Sequence, residues 1–156
     1  MAVRRGLFNA FPGIPMQMCH FQQLAIIRRY LTQNPRLEAH IELKKLSNTL
    51  TTIDKESWLF ALDQWYQKWS EYLKEKTVDP MSGKWHYTHK KPRGAYQSLE
   101  RYTPYLFTFQ DYPELGIPNT TNSLDGSFAN LKSKLRLHQG IKRQMKTILT
   151  DHFLAK

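Results

Sequence analysis

The sequence predicts a mainly α-helical fold with about one β-strand. Apolar residues recur at helical spacing along most of the chain, and only residues 14–19 have the composition of a strand. Clusters of proline and glycine near residues 79–92 and 113–118 separate the helical stretches. The 156 residues are 40% hydrophobic and 13% aromatic, which is too apolar for disorder and sufficient for a core.

The N-terminal half is predicted to contain helices that begin and end at prolines or capping residues. The pair Asn34-Pro35 ends one helix, because the residue before a proline avoids the helical region, and Pro35 suits the first turn of the next. Asp54 is placed to cap the long helix that follows. The predicted elements are a helix at residues 4–11, a strand at 14–19, and helices at 21–31, 35–50 and 55–76.

The helix predicted at residues 55–76 carries an aromatic stripe at helical spacing. Such a stripe is usually buried against neighbouring helices, so we interpret it as core; stacking on a cofactor or on nucleobases is the alternative. The stripe consists of Trp58, Leu62, Trp65, Tyr66, Trp69 and Leu73.

Residues 77–93 are predicted to form a basic loop with interleaved aromatic residues. Trp85 and Tyr87 suit stacking on exposed bases, and the cations suit contacts to a sugar-phosphate backbone; a solvated basic loop is the alternative. His86 and His89 have a spacing found in some metal sites, but no further ligand lies nearby in the sequence, which disfavours zinc. The cations of this loop assigned to DNA binding are Lys84, Lys90, Lys91 and Arg93.

The net charge points to a polyanionic partner. The chain has 23 Lys and Arg against 13 Asp and Glu, a formal charge of +10. Cations placed on phosphates release condensed counterions, so nucleic acid is the leading candidate. Further helices are predicted at 94–107, 119–135 and 140–154, and the last two concentrate the charge. Their cations and one histidine are assigned to DNA binding: Lys132, Lys134, Arg136, His138, Lys142 and Arg143.

Other classes of protein are disfavoured. No stretch approaches the roughly 18 consecutive apolar residues of a membrane-spanning helix. A single cysteine, Cys19, excludes an intrachain disulfide framework and fits a reducing, cytoplasmic setting. We expect Cys19 to be a buried small side chain.

The helix predicted at 119–135 combines one carboxylate with two cations. At 100° per residue, Asp125, Lys132 and Arg136 lie along one face, which could hold a metal ion at one end and phosphates at the other. The spacing Asn122-x-x-Asp125 also satisfies a capping box, in which the acid supports the start of the helix. Both roles are compatible.

The segments 118–126 (PNTTNSLDG) and 135–140 (LRLHQG) closely resemble the C-terminal catalytic helix of DDE transposases of bacterial insertion sequences, in the Mutator-like group. The segments 87–96 (YTHKKPRGAY) and 104–108 (PYLFT) resemble the region before that helix. At the front of the chain, 4–8 (RRGLF) and 15–22 (PMQMCHFQ) resemble the family's sequence after its second catalytic aspartate and the following core strand.

The resemblance implies a partial ribonuclease-H-like α/β core at residues 1–33, an all-helical insertion with the basic loop at 34–117, and C-terminal catalytic and DNA-contacting helices at 118–156. It places Asp125 as the third catalytic carboxylate and as a ligand of Mg²⁺ in the complete catalytic core. It also implies DNA element ends as partner, and a homo-oligomer when the core is complete.

The implied function is DNA transposition by metal-dependent phosphodiester hydrolysis and strand transfer. Two Mg²⁺ ions require several carboxylates. The second aspartate would fall at about residue 1 or 2 and is absent, and the first would precede it. We therefore expect no activity without an upstream-encoded N-terminal segment. Two alternatives stay open: a non-catalytic basic helical DNA-binding protein or transposase remnant, and a degenerate product that does not fold stably.

Overall fold

The structure is a computed structural model that describes residue 10, residues 12–137 and residues 140–154, without the side chains of residues 122–124 and 154. The helix predicted at 4–11 therefore lies outside the described residues apart from residue 10, as do the segment 4–8 and His138. In the described part the fold is mainly helical, as predicted.

The chain divides into two compact units, Met1–Asn119 and Thr120–Lys156. The described residues of the first unit form four main helices, a two-stranded sheet and short helical turns. Its elements are α1 (His20–Leu31), α2 (Glu38–Asn48), a 3₁₀ turn (Thr49–Thr51), α3 (Lys55–Lys74), β1 (Lys76–Val78), β2 (Trp85–Tyr87), α4 (Lys90–Leu106), α5 (Thr108–Asp111) and a 3₁₀ turn (Pro113–Leu115).

One apolar core joins the four main helices of the first unit. The aromatic stripe of α3 supplies much of it, as predicted: Trp58, Leu62, Trp65 and Leu73 are buried, and Tyr66 and Trp69 pack against them. The core unites α1 with helices that the resemblance assigns to the insertion. The three-part division of the chain stays a prediction.

Two local features explain how the helices of this core begin and approach each other. Asp54 caps α3 as predicted, since its Oδ1 accepts the backbone N–H of Ser57 at 2.8 Å. Gly94 lets α4 lie close to α1, because an added Cβ there would be only 2.7 Å from the Tyr30 ring.

The prediction of a strand at residues 14–19 is wrong, because the segment has no neighbouring strand in the described residues. It is held instead by the C-terminal end of α4 and by α5. The Met18 N–H donates to the Tyr105 carbonyl oxygen at 2.7 Å, and the Gln17 amide donates to the Leu106 carbonyl oxygen at 2.8 Å. Cys19 is buried, as expected.

The loop predicted at residues 77–93 is largely wrong. Its first part forms an antiparallel hairpin, in which Val78 faces Trp85 and Lys76 faces Tyr87. Its last part belongs to α4, which begins at Lys90 rather than at 94. Pro92 does not prevent this, because the third residue of a helix has no intrahelical N–H bond to lose.

The second unit consists of α6 (Asn122–Leu137) and α7 (Arg143–Leu154) in the described residues. Both helices begin about three residues later than predicted. Gly140 lies between them with φ of 97°, in the left-handed region that favours glycine. No helix in the described part of the chain is long and apolar enough to cross a membrane.

Candidate nucleic-acid interface

The start of α6 positions Asp125. The helix begins at Asn122, so Asp125 is its fourth residue rather than the third that a capping box with Asn122 requires. Its carboxylate Oδ2 accepts the Thr121 hydroxyl at 3.2 Å, and its N–H donates to the Thr121 carbonyl oxygen at 2.7 Å. The predicted cap through the Asn122 side chain lies outside the described side chains. An acid in this first turn interacts favourably with the helix dipole in either case.

A basic groove lies between α6 and α7. It has a volume of about 440 Å³ and is lined by Lys132, Leu135, Arg136, Gly140 and Lys146. Lys132 and Arg136 are one turn apart on α6, where i and i+4 side chains are neighbours. Lys146 comes from the opposite helix. Two predicted DNA-binding residues are thus brought together, and a third cation completes the groove.

The other predicted cations of this unit lie elsewhere. Lys142 and Arg143 are exposed at the start of α7. Lys134 points to a second, more apolar groove, where its Nζ lies 5.6 Å from the centre of the Phe153 ring. His138 lies outside the described residues. The structure therefore separates Lys134 from Lys132 and Arg136, as expected for positions two residues apart on a helix.

The cations of the basic groove have no acidic partners in the described part of the second unit. Lys132, Arg136 and Lys146 are exposed, and none of them forms an ion pair with a described residue. Like charges on facing helices repel one another when nothing intervenes. An anion bound in the groove would relieve that repulsion.

The predicted cations of the first unit lie around the hairpin. Lys84 is exposed just before β2, and Lys90 and Lys91 are exposed in the first turn of α4. Cations at that position interact unfavourably with the helix dipole, so they raise the positive potential there rather than stabilise the helix. Arg93 differs: its guanidinium lies 3.9 Å from the Tyr87 ring centre and its Nη1 donates to the Leu73 carbonyl oxygen at 3.4 Å.

His89, just after the hairpin, is engaged within the first unit. The ring of His89 stacks on Tyr72 with centroids 3.6 Å apart, and its Nε2 bonds Glu75 Oε2 at 2.8 Å. His89 and Lys91 also help to lower the pKa of His40, although burial is the larger cause. His89 thus connects the start of α4 to the end of α3.

Asp125 alone does not fit the two-ion magnesium site that the resemblance implies. Such a site needs several oxygen ligands from different elements. The described residues contain no group of three His, Cys, Asp or Glu side chains that could hold a metal ion. We therefore derive no catalytic step from this carboxylate.

Two cations of these surfaces were not among the residues assigned to DNA binding from the sequence. Lys146 enters the basic groove from α7, and no local sequence pattern places it opposite Lys132 and Arg136. Lys76 lies 4.3 Å from the centre of the Trp85 ring. Only the hairpin register shows that contact, and the hairpin was not predicted.

Comparisons of the chain with protein-family models, with curated proteins and with solved structures found no match.

Proposed function

We propose that this chain binds the sugar-phosphate backbone of DNA through the basic groove of its second unit, as the C-terminal part of a transposase of the group that its sequence resembles. The observation that carries the binding proposal is the convergence of Lys132, Arg136 and Lys146 from two helices on one groove. The link to transposition rests on the resemblance of residues 118–126 and 135–140.

The groove suits phosphate contacts because its three cations are exposed and lack acidic partners among the described residues. They can therefore pair with phosphates without first breaking an ion pair. Exposed Lys and Arg on a surface rich in positive charge give affinity that depends little on sequence and strongly on salt. The groove positions DNA in this proposal, and strand chemistry needs further carboxylates.

The binding proposal is tested by measuring the Kd of the whole 156-residue chain for a DNA duplex at several salt concentrations. We expect log Kd to vary linearly with log salt, and the slope to fall by up to about 2.7 in the triple variant Lys132→Gln, Arg136→Gln, Lys146→Gln, at about 0.9 per lost phosphate contact. The measurement is fluorescence anisotropy of a labelled duplex between low and moderate salt.

A matched control removes the same charge from the first unit. Arg29, Arg36 and Lys45 are exposed and form no ion pair with described residues. Replacing these three with Gln should leave the slope nearly unchanged. If the two triple variants lost the same amount of slope, the loss would come from net charge and not from the groove. The binding proposal would then fail.

The role in transposition is tested at Asp125. As a helix-stabilising acid only, Asp125→Asn should cost about 1 kcal/mol or less and leave excision intact. As the third catalytic carboxylate, the same change should abolish excision while the protein stays folded, since a neutral amide binds Mg²⁺ poorly. The assay joins the chain to a transposase segment that supplies the other two aspartates. Normal excision by folded Asp125→Asn protein would favour the non-catalytic DNA-binding alternative.

A further inference from the structure

One face of the hairpin presents a cluster of exposed apolar and aromatic side chains. Residues directly opposed across strands, and residues two apart along a strand, share a face. The register therefore places Lys76, Val78, Trp85 and Tyr87 together. Trp85 is 57% exposed, Val78 59%, and Met81 in the turn 95%. A large indole with more than half of its surface in water is available for a partner.

Neighbouring side chains hold the Trp85 ring in place. The Tyr87 ring meets it edge to face, with centroids 5.6 Å apart at 86°, and the Lys76 ammonium lies 4.3 Å from its centre. Tyr87 in turn contacts the Arg93 guanidinium, which bonds the Leu73 carbonyl at the end of α3. These contacts connect Trp85 to the helical core, which reduces the side-chain entropy that binding would cost.

The turn of the hairpin is also ordered. Asp79 accepts the Met81 N–H at 3.0 Å and the Ser82 hydroxyl at 2.7 Å, and its own N–H donates to the Lys84 carbonyl oxygen at 2.9 Å. An isolated hairpin with three-residue strands is marginal in water. Here the turn bonds and the Arg93 contact fix the exposed face as a preformed surface.

The charge around this face favours a nucleic acid over other partners. Residues 75–93 contain five Lys and Arg but two acids: Asp79, whose carboxylate is engaged in the turn, and Glu75, whose carboxylate bonds His89. The Lys76 ammonium can cover only one face of the Trp85 ring. An aromatic ring beside unpaired cations matches a base and its adjoining phosphates, because every base offers a flat π surface for stacking.

We propose that the hairpin binds single-stranded or locally unpaired DNA, with Trp85 stacked on an unpaired nucleobase and Lys76 and Lys84 beside the neighbouring phosphates. This contact belongs to the first unit. It requires nothing of the groove of the second unit, so each can fail without the other.

The first test uses the fluorescence of full-length protein titrated with oligothymidine. Trp58 and Trp65 are buried, and Trp69 is partly buried with its Nε1–H bonded to Glu42 Oε2, so stacking on the more exposed Trp85 should produce most of the quenching. Trp85→Phe should bind with little loss, since phenylalanine also stacks, and should lose that quenching. Saturation with oligothymidine that leaves the emission of the unmodified protein unchanged would overturn the proposal. Equal quenching by polyglutamate of matched charge would also overturn it, in favour of an acidic protein partner.

The second test separates the base from the phosphate. Trp85→Ala should weaken binding of oligothymidine by about 5- to 150-fold, the usual range for loss of one stacked base. It should leave binding of an abasic oligomer of equal length unchanged, because that oligomer has the same phosphates without bases. Equal losses for the two oligomers would contradict the stacking role.

Matched variants guard against indirect effects. Phe60 is an aromatic residue that is at least as exposed as Trp85, at 68% against 57%, and Glu56 and Asp63 flank it on α3 in place of cations. Phe60→Ala should not change binding of either oligomer. Trp85→Leu keeps apolar bulk at the hairpin and should bind oligothymidine as weakly as Trp85→Ala. Full affinity in a Trp85→Leu protein with unchanged thermal unfolding would refute stacking.

Discussion

The two units of the chain use positive charge differently. Residues 1–119 contain 16 Lys and Arg against 11 Asp and Glu. Residues 120–156 contain seven Lys and Arg against two Asp and no Glu. In the first unit, Lys55 pairs with Asp111 at 2.7 Å, and Lys68 bonds Glu42 at 2.6 Å. No such pair occurs among the described residues of the second unit. Part of the positive charge of the first unit therefore forms ion pairs within its own fold. The cations described in the second unit are available to bind a partner.

The two units also differ in how much apolar surface they bury. The first unit fully encloses large side chains such as Trp58 and Phe107. Among the described side chains of the second unit, Leu131 is buried, whereas Leu137 is 79% and Ile148 59% exposed. Most of the hydrophobic contribution to stability should come from the first unit, since that contribution scales with buried apolar area.

The largest effect that sharpens this comparison is expected at Trp58. Its side chain is fully buried and its Nε1–H donates to the Thr103 hydroxyl at 3.4 Å. Trp58→Ala should lower the free energy of unfolding by about 3–5 kcal/mol. The exposed Phe60, two residues away, is the control, and Phe60→Ala should change it by less than about 0.5 kcal/mol. Denaturant unfolding measures both, and similar values would contradict a core centred on this helix.

An intermediate effect is expected from pH, through histidines of the first unit. Burial lowers the pKa of His20, whose Nε2–H donates to the Leu106 carbonyl oxygen at 2.6 Å, and burial also lowers the pKa of His40. Below the usual pKa of 6.5, the unfolded chain then binds more protons than the folded one. The free energy of unfolding should therefore fall as the pH falls from 7 to 5.5.

The size of this fall is at most about 1.4 kcal/mol per histidine for each pH unit below that pKa. Denaturant unfolding at several pH values measures it, and His20→Gln should reduce the slope. Stability that stays constant over this range would show that these imidazoles titrate freely in the folded chain.

The smallest effect concerns the paired and unpaired cations. Lys55→Ala removes the Asp111 pair and should lower the free energy of unfolding by about 0.2–1 kcal/mol at low salt. Lys132→Ala removes no ion pair with a described residue and should leave it within about 0.5 kcal/mol or raise it slightly, by reducing repulsion. Thermal unfolding of the two variants at low and high salt makes the comparison. A larger loss for Lys132→Ala would reverse the contrast between the units.

Local patterns predicted the long helices well. Helix α1 begins at His20, one residue before the prediction, and the capping of α3 by Asp54 is confirmed. These features depend on residues three or four apart in sequence, so periodicity and capping chemistry identify them. The same spacing places Lys132 beside Arg136 in the groove.

Features that depend on distant residues could not be predicted in this way. Residues 14–19 have strand composition, but a strand needs a neighbouring strand, and their backbone instead bonds the Tyr105 carbonyl oxygen of α4 and the Thr108 hydroxyl of α5. The hairpin was missed because its strands are only three residues long. The approach of Lys146 to the groove depends on the turn between α6 and α7, which no local pattern determines.

The attachment of the N-terminal segment has a consequence for synthesis on the ribosome. The Leu106 carbonyl oxygen accepts from both Gln17 and His20, and the Thr108 hydroxyl donates to the Met16 carbonyl oxygen. These partners lie 86–92 residues apart along the chain. Closing so long a loop is slow and needs both ends to be present. The first unit can therefore complete its fold only after residue 108 has emerged from the exit tunnel. Until then, the segment before α1 lacks these hydrogen-bond partners.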